Sequence, residues 1–190
     1  MNQIEYKEEL LASSGLPAIV VTEALPEDSA DISRIQKDGW ISTYPNEAFG
    51  ITVEDILTKD FDSPEKIAWR AELIRTQQET KVWVARIDRE VVGFSIASAG
   101  ELQNQLGALY VSSGHRRIGV GRRLMDCALA WLGSEKDVTL EVVPYNENAI
   151  CFYERYGFHR GSARSASRPS FPNGKCLPEI EMRLLAKVEG

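Results

Sequence analysis

The sequence contains few of the side chains that build disulfide frameworks and metal sites. Among its 190 residues are three cysteines, Cys127, Cys151 and Cys176, and two histidines, His115 and His159. The cysteines are odd in number and widely spaced, which is not the pattern of a disulfide framework. We expect them to be small buried or half-buried hydrophobic side chains. With so few histidine and cysteine ligands, we expect no metal site.

Long apolar runs are also absent. The longest, such as residues 16–21 and 127–132, are far too short to cross a bilayer. The first nine residues contain no basic segment leading into an apolar stretch, so they do not resemble a secretory signal. We therefore expect a cytoplasmic protein that does not act at a membrane. Because 43% of the residues are apolar and no linker, repeat or low-complexity tract interrupts them, we predict a single domain over residues 1–190.

The chain has no excess of positive charge. Its 22 Lys and Arg residues stand against 28 Asp and Glu residues, for a formal net charge of −6, which argues against a nucleic-acid partner. The segment 160–177 departs from this balance, because it contains Arg160, Arg164, Arg168 and Lys175 and no acidic residue. Its Ser, Pro and Gly content predicts an irregular loop.

Apolar periodicity and turn residues predict strands that alternate with helices. The predicted strands are residues 18–22, 81–87, 91–98, 106–111, 138–143 and 180–185, and the predicted helices are residues 27–40, 52–61, 63–78, 119–133 and 146–156. Strands before, between and after helices indicate a mixed α/β sandwich with a mostly antiparallel sheet and one parallel pairing at the site.

The most informative segment is residues 115–124, where Gly119 and Gly121 open a helix directly after an apolar strand. Glycine lets the backbone approach a ligand closely, and the first N–H groups of a helix have no intrahelical acceptor. They point outward at the positive end of the helix dipole, where a phosphate or diphosphate binds well. Arg116, Arg117, Arg122 and Arg123 add positive charge, although most exposed arginines on a helix are simply solvated.

Neither common phosphate loop is present. The pattern G-x-x-x-x-G-K-[ST] is absent, and the third glycine of a dinucleotide fingerprint is replaced by Leu124. A second cluster follows downstream, where Asn146 is placed to cap a helix that Gly157 ends.

Together these segments resemble the GCN5-related N-acetyltransferase (GNAT) family. The resemblance rests on the series Leu109-Tyr-Val111, Arg116-x-x-Gly119-x-Gly121 and Asn146-x-x-Ala149-x-x-x-Tyr153-x-x-x-Gly157-Phe158. It implies the acyl-CoA N-acyltransferase fold, a mixed and mostly antiparallel sheet flanked by helices, with acetyl-CoA as co-substrate and no metal.

The resemblance also implies which residues bind acetyl-CoA. Its diphosphate would lie on the backbone of the glycine turn, and its pantetheine arm would pair with the central strand as an extra strand. The helix that Asn146 opens would form the other wall, with Asn146 contacting the pantetheine, capping the helix, or doing both. The implied cofactor-binding residues are Leu109, Tyr110, Val111, Arg116, Arg117, Ile118, Gly119, Val120, Gly121, Arg122, Asn146, Ala149 and Tyr153.

Tyr153 matches the family's general acid, which lies near the sulfur as the CoA thiolate departs. Ordinary pKa values of about 10 for tyrosine and 8.5 for a thiol make full proton transfer uphill by roughly 2 kcal/mol. The phenol would therefore act mainly by hydrogen bonding as charge develops on the sulfur. The alternative is that Tyr153 is a core aromatic side chain.

The acceptor amine must be neutral to attack the thioester. For an alkylamine with a pKa near 10.4, deprotonation at pH 7 costs about 4.6 kcal/mol, so many relatives supply a carboxylate base. Gln105 stands where relatives often have that glutamate, and Glu101 and Glu141 are possible substitutes. A water relay or an acceptor of lower pKa would also serve. The chain further departs from the family with Arg117 where glycine is frequent and Ser113 where proline is frequent.

The segment from Trp40 to Tyr44 resembles the W-x-x-x-Y segment of relatives whose first helices line the acceptor pocket. These aromatics would contact the acceptor through apolar or cation–π interactions, or pack in the core. We expect a small primary amine such as a polyamine or an amino-acid-like compound. The alternatives are a peptide or protein N-terminal acetyltransferase, for which an open groove would argue, and a noncatalytic acyl-CoA module. The basic segment is either a surface loop or a lid over the acceptor, and the protein is expected to be a monomer or homodimer.

Overall fold

The computed structural model describes residues 18–76, 78–164 and 170–187, and these contain one seven-stranded sheet with helices on both faces. The strands are β1 Val20–Glu23, β2 Thr80–Ile87, β3 Glu90–Ser98, β4 Asn104–Val111, β5 Val138–Val142, β6 His159–Arg164 and β7 Glu179–Leu184. The helices are α1 Ser29–Thr43, α2 Val53–Leu57, α3 Pro64–Thr76, α4 Val120–Leu132 and α5 Glu147–Glu154.

The strand order is β1-β2-β3-β4-β5-β7-β6, and every neighbouring pair is antiparallel except β4 and β5. The predicted mixed, mostly antiparallel sheet is thus confirmed. The parallel ladder is very short: Asn104 lies opposite Val138, and Gln105 lies opposite Thr139. Beyond these two pairs β4 and β5 diverge, so the edge of β4 that faces β5 has no strand partner from Leu106 onward among the described residues.

Both faces of the sheet are buried. On one face α4 and α5 pack on the sheet through fully buried side chains that include Leu124, Met125 and Ile150. On the other face α1 packs through Ile32 and Ile35. Each such side chain contributes about 1.5–3 kcal/mol to folding. We call the first face the α4 face and the second the α1 face.

A β-bulge at Gly107 decides which side chains of β4 reach each face. Ala108 pairs with Ile96 and Leu106 pairs with Ala97, so Gly107 is the extra residue. Side chains on a regular strand alternate between faces. Here Leu106 packs on the α4 face together with residues 109 and 111, whereas Tyr110 packs on the α1 face.

The prediction that the whole segment 160–177 is irregular is wrong for its first residues. Residues 159–164 form β6, which pairs with β7. Gly161 helps, because a Cβ there would lie only 3.0 Å from the carbonyl oxygen of Glu181. The low strand propensity of Gly, Ser and Arg is overridden by hydrogen bonding to a distant strand. Arg168 and residues 1–17 lie outside the described residues.

The cysteines are more exposed than expected. Cys127 is half-buried as predicted, but Cys151 and Cys176 are exposed. Cys151 lies on the outer side of α5, because Ile150 and Tyr153 are the side chains of that helix that face the core.

Residues 170–177, which we call the strap, are anchored on α2 by two buried side chains, although residues 172–176 between them are exposed. Phe171 and Leu177 are buried in a cluster with Ile56 of α2. Asp55, only 7% exposed, accepts hydrogen bonds from Lys175 Nζ and Asn173 Nδ2, each at 2.6 Å. Apolar contacts and charged hydrogen bonds together hold the strap in place.

We predict that Asp55→Asn destabilises the protein in a pH-dependent way. The Lys175 ammonium, followed by the backbone N–H of Thr52, lowers the pKa of Asp55 to about 2. A carboxyl with a lowered folded-state pKa stabilises the fold above its unfolded pKa of about 3.9, and this contribution is lost as the pH falls toward 2. Urea unfolding should therefore show a stability difference between wild type and variant that is full at pH 7 and shrinks below about pH 4.

Asp31→Asn is the control, because Asp31 forms an exposed ion pair with Arg34 on α1. Exposed pairs contribute little to stability, so this variant should resemble the wild type throughout. A stability difference for Asp55→Asn that did not change with pH would contradict the prediction.

Candidate active site

Helix α4 begins at the mouth of the gap between β4 and β5. Gly119 precedes it with a φ of +98°, and the first helical hydrogen bond runs from Arg123 N–H to Gly119 O at 3.1 Å. The N–H groups of residues 120–122 therefore have no intrahelical acceptor and lie at the positive end of the helix dipole. A Cβ added to Gly121 would lie 3.6 Å from Val111 and 4.0 Å from Phe152. The glycine turn, residues 116–122, thus adjoins both β4 and α5.

The arginines of this turn divide into two groups. Arg116, Arg117 and Arg122 are exposed beside the free N–H groups, and Arg116 Nε also donates to the carbonyl oxygen of Val111 at 3.3 Å. Arg123 instead donates to the carbonyl oxygen of Ile19 at 3.1 Å, and so ties α4 to the start of β1. Arg117 has a φ of +66°, a left-handed conformation that costs a non-glycine residue about 1–2 kcal/mol. This explains in physical terms why glycine is favoured at that position.

Asn146 caps α5 at the opposite side of the gap. Its Oδ1 accepts a hydrogen bond from the Ala149 N–H at 3.3 Å. The capping role is therefore confirmed by geometry. The amide NH₂ of the same side chain has no partner among the described residues, so it is available to a ligand.

Tyr153 lies on the inner side of α5 and is 8% exposed. Its ring packs against Phe152 and Phe158, with centroid distances of 5.5 and 6.0 Å. Burial, and to a lesser extent Tyr44, raises the pKa of Tyr153 well above its ordinary value. The hydroxyl has no hydrogen-bond partner among the described residues. It is therefore a protonated donor held rigidly by packing, with its own hydrogen unused.

On the α1 face two tyrosine hydroxyls form a hydrogen bond. The Tyr44 and Tyr110 oxygens are 2.9 Å apart, and Tyr145 donates to the Tyr44 carbonyl oxygen at 2.8 Å. The Tyr110 ring stacks on Phe94 with a centroid distance of 5.4 Å. It also lies so close to α1 that a Cβ on Gly39 would be 2.5 Å from it. The glycine in the interior of α1 is thus what lets Tyr110 take this position.

Trp40 belongs to an aromatic cluster, the α1–strap cluster, with Tyr44, Phe61 and Phe171. Lys59 Nζ lies 4.7 Å from the centre of its ring. The cation–π position on Trp40 is thus occupied by a lysine of this chain. Its indole N–H is buried without a hydrogen-bond partner among the described residues. Burial, followed by the neighbouring Tyr44, raises the pKa of Tyr110 well above its ordinary value, and the Trp40 indole opposes this shift. Trp40 and Tyr44 were the two residues expected to contact the acceptor. Trp40 packs in the aromatic cluster, whereas the Tyr44 hydroxyl forms a hydrogen bond with that of Tyr110.

A cavity of about 220 Å³ opens on the α1 face beside the closed end of the gap. Gln105 and Glu141 line it, together with Glu181, which is the cross-strand partner of Glu141. Glu101 lies in the exposed turn between β3 and β4 and does not line the cavity. The structure therefore brings one of the two expected carboxylates to the site.

Glu179 is a carboxylate near the site that sequence reasoning missed. It is half-buried at the start of β7. Burial and the neighbouring Glu141 raise its pKa, and Glu179 in turn raises the pKa of Tyr44, which burial has already raised. The alternation Glu179-Ile-Glu-Met182 was the available signal, because it places residues 179 and 181 on the face away from the α4 core.

Two kinds of feature are absent from residues 18–76, 78–164 and 170–187. No three His, Cys, Asp or Glu side chains in these ranges are arranged to hold a metal ion. In the same part of the chain, no helix combines the length and the apolar character needed to span a membrane.

Comparison with known proteins gives consistent matches. A family model described as the acetyltransferase (GNAT) family matches residues 50–158. The peptidyl-lysine N-acetyltransferase YjaB of Escherichia coli (strain K12) is 34% identical over 103 residues. This match covers 53% of the chain and 65% of the relative, so it spans slightly less than two thirds of the relative's length.

Solved structures share the fold. Ard1 from Thermoplasma volcanium superposes with a TM-score of 0.64 at 22% identity, covering 90% of this chain and 99% of that one. The PaiA N-acetyltransferase from Thermoplasma acidophilum, in complex with coenzyme A, gives a TM-score of 0.66 at 18% identity, covering 86% and 98% respectively. At these identities the likeness shows the fold alone, which is the predicted acyl-CoA N-acyltransferase fold.

We predict that Gly119→Ala weakens binding of coenzyme A and destabilises the protein by about 1–2 kcal/mol, because alanine is strained at positive φ. Relief of that strain would rotate the first N–H groups of α4 away from the ligand. Isothermal titration with coenzyme A and urea unfolding measure the two effects.

Gly114→Ala is a matched control in the same loop, because Gly114 has no positive φ and a Cβ there would meet nothing within 4 Å. It should bind coenzyme A as the wild type does. If the Gly119→Ala variant matched the wild type in affinity for coenzyme A and in stability, a left-handed residue at position 119 would not be needed for either property.

Proposed function

The chain belongs to the GNAT family of acetyltransferases, and from this we propose that it transfers the acetyl group of acetyl-CoA to a primary amine. The observation that carries the proposal is the gap between β4 and β5. Its three borders are the free N–H groups of α4, the unpaired edge of β4, and α5 with Tyr153. One border suits a diphosphate, the second suits an extended amide chain, and the third supplies a proton donor.

The residues of the gap fit acetyl-CoA as a substrate. The N–H groups of Val120, Gly121 and Arg122 would receive the diphosphate, with the exposed arginines beside them. The backbone of Leu109 and the N–H of Val111 would pair with the amide groups of the pantetheine, since the Val111 carbonyl oxygen already accepts a hydrogen bond from Arg116. Asn146 would add its free amide group from the opposite wall. The thioester supplies an activated acetyl group, and all other contributions come from the chain.

Tyr153 would donate a hydrogen bond to the departing sulfur. Its raised pKa makes complete proton loss from the phenol unfavourable. A phenol that stays protonated still stabilises developing negative charge, and its fixed ring needs no reorganisation to do so. This supports the role of hydrogen-bonding acid.

The charge of the α1 face favours a cationic acceptor. Glu141 and Glu179 lie on this face without a cationic partner among the described residues, whereas Glu181 between them is paired with Arg183. The described cations of segment 160–177 are engaged elsewhere, since Arg160 pairs with two glutamates of α5 and Lys175 with Asp55. A protonated alkylamine complements such a surface.

A small amine is the acceptor we propose first, because the strap covers the aromatic side of this face. The second candidate is a lysine side chain of a protein, which is the substrate class in the name of the E. coli relative. A lysine side chain is itself a slender primary alkylamine, so the same acidic surface suits it.

The test is release of free coenzyme A from acetyl-CoA against four acceptor classes: polyamines, free amino acids, lysine-containing peptides with blocked N-termini, and peptides with free N-termini. Turnover on the first two classes supports a small-molecule enzyme, and turnover on the lysine peptides supports the second candidate. Binding of acetyl-CoA without turnover on any acceptor would contradict the proposed enzymatic activity and indicate a noncatalytic module.

We predict that Tyr153→Phe lowers kcat by 10-fold or more, because positioned acids contribute about 100-fold or more to such reactions. The change removes one oxygen and keeps the ring packing. Steady-state assays on the best acceptor measure the effect. The control is Tyr156→Phe, since Tyr156 lies just beyond α5 and its hydroxyl bonds Asp126 at 2.8 Å. Unchanged kcat in Tyr153→Phe would refute the acid role.

A further inference from the structure

Glu179 lies at the end of the sheet where β4 and β5 diverge. Its neighbour Ile180 pairs with Val142, the last residue of β5, so Glu179 stands level with Val143. Val143 is buried in the cluster that also contains Tyr44. The position of Glu179 is therefore beside the open end of the gap, not at the closed end where Gln105 lies.

The side chain of Glu179 belongs to the α1 face. Ile180 and Met182 pack in the core on the α4 face, so strand alternation directs Glu179 to the opposite face. The groups that approach it are Tyr44 from the end of α1 and Glu141 from β5. On the far side β6 contributes the backbone of Arg164, which pairs opposite Glu179.

Among the glutamates near the gap, Glu179 alone combines partial burial with the absence of a hydrogen bond or ion pair within the described residues. Glu181 is bonded to Arg183 at 2.9 Å. Glu141 is exposed. A half-buried, unpaired carboxylate lacks the stabilisation that a structural carboxylate usually receives.

A second feature points to a ligand at the same place. Tyr44 and Tyr110 form a hydrogen bond with each other, whereas the hydroxyl of Tyr153, a residue that is 8% exposed, has no partner among the described residues. Tyr44 contributes to the raised pKa of Tyr153, and Glu179 to the raised pKa of Tyr44, in each case after the larger effect of burial. A phenol on α5 and a carboxylate on β7 are thus without a hydrogen-bond partner among the described residues.

We propose that Glu179 is the general base that takes the proton from the acceptor amine, with the Tyr44 hydroxyl, oriented by Tyr110, beside it. The inference rests on the proposed function and names the base at that site. Gln105 cannot accept a proton, so in this proposal the role of base passes to the Glu179 carboxylate on β7.

The proton balance is as follows. The acceptor ammonium gives one proton to the Glu179 carboxylate, and the neutral amine forms a C–N bond to the acetyl carbonyl carbon. The C–S bond breaks and its electron pair stays on sulfur. The nitrogen then loses a second proton, which ends on the sulfur with assistance from the Tyr153 phenol. Glu179 releases the first proton to solvent, so each turnover yields one amide, one thiol and one proton.

The raised pKa of Glu179 suits this task, because a base whose pKa is nearer to that of the ammonium takes its proton more readily. A base must be ionised to act, so kcat should rise as the pH rises through the pKa of Glu179. Because burial and Glu141 raise the pKa of Glu179, this limb should lie at a higher pH than it would for an ordinary glutamate.

The experiment compares wild type with Glu179→Gln over a range of pH, using the best acceptor amine found and saturating acetyl-CoA. We expect kcat to fall by about 100-fold or more and the acidic limb of its pH profile to disappear. The dissociation constant for coenzyme A and the unfolding temperature should not change. Glu23→Gln, on the far edge strand β1, is the control and should match the wild type.

Three results would overturn the inference. The first is a kcat within about threefold of wild type with the acidic limb intact. The second is an equal loss of kcat and of the limb in Glu141→Gln, which would make Glu141 the base. The third is a fall in kcat that comes with lost stability and an unchanged pH profile. If the wild type itself acetylates no amine, the proposed function has failed, and that outcome is distinct from an active wild type with an equally active Glu179→Gln variant.

Discussion

The short parallel ladder between β4 and β5 is the constraint on which the candidate site depends. Two residue pairs hold the strands together, and then they diverge. Backbone N–H and C=O groups on the open edge of β4 need partners, as all buried backbone groups do. The N–H groups at the start of α4 have the same need. The gap is therefore lined by polar backbone that an extended, amide-containing, anionic molecule can satisfy.

The bulge at Gly107 lets one strand serve both sides of this gap. It places Leu109 and Val111 toward the α4 face, next to the glycine turn, and Tyr110 toward the α1 face. Without the extra residue the alternation from Leu106 onward would reverse. Gly39 completes the arrangement by leaving room for the Tyr110 ring. The same strand thus presents side chains to both faces of the sheet.

The electrostatics of the α1 face follow from how the basic segment is used. The positive charge of segment 160–177 would suit an anionic acceptor. In the structure, however, Lys175 is paired with Asp55, and Arg160 is paired with glutamates of α5. Lys59, which borders the strap, donates to the carbonyl oxygen of Ser170 and covers Trp40. Charges engaged in this way hold the strap and the helices together. Within the described residues, Glu141 of β5 and Glu179 of β7 remain on this face without a cationic partner.

Much of the fold could be predicted because its signals are local. The hairpin of β2 and β3, the helix after Gly119 and the cap at Asn146 each depend on residues within a few positions of one another, so propensity and capping suffice. The glycine turn and the Tyr153 helix were identified for the same reason. The resemblance to the GNAT family added what the local signals lacked, namely that the strands form one mixed sheet.

What only the tertiary structure decided depends on contacts between distant segments. Strand β6 exists because β7 offers it hydrogen bonds, and Trp40 is covered because Lys59 and the strap meet there. Glu179 becomes a candidate base because of the register of β7 on β5 and its partial burial, and neither can be predicted from the residues next to it in the sequence. The sequence by itself determined the turns, caps and strand-forming segments. The convergence of side chains from β4, β5 and β7 with those of α1 and α5 was settled by packing, since a shift of one residue in register would send each strand side chain to the other face.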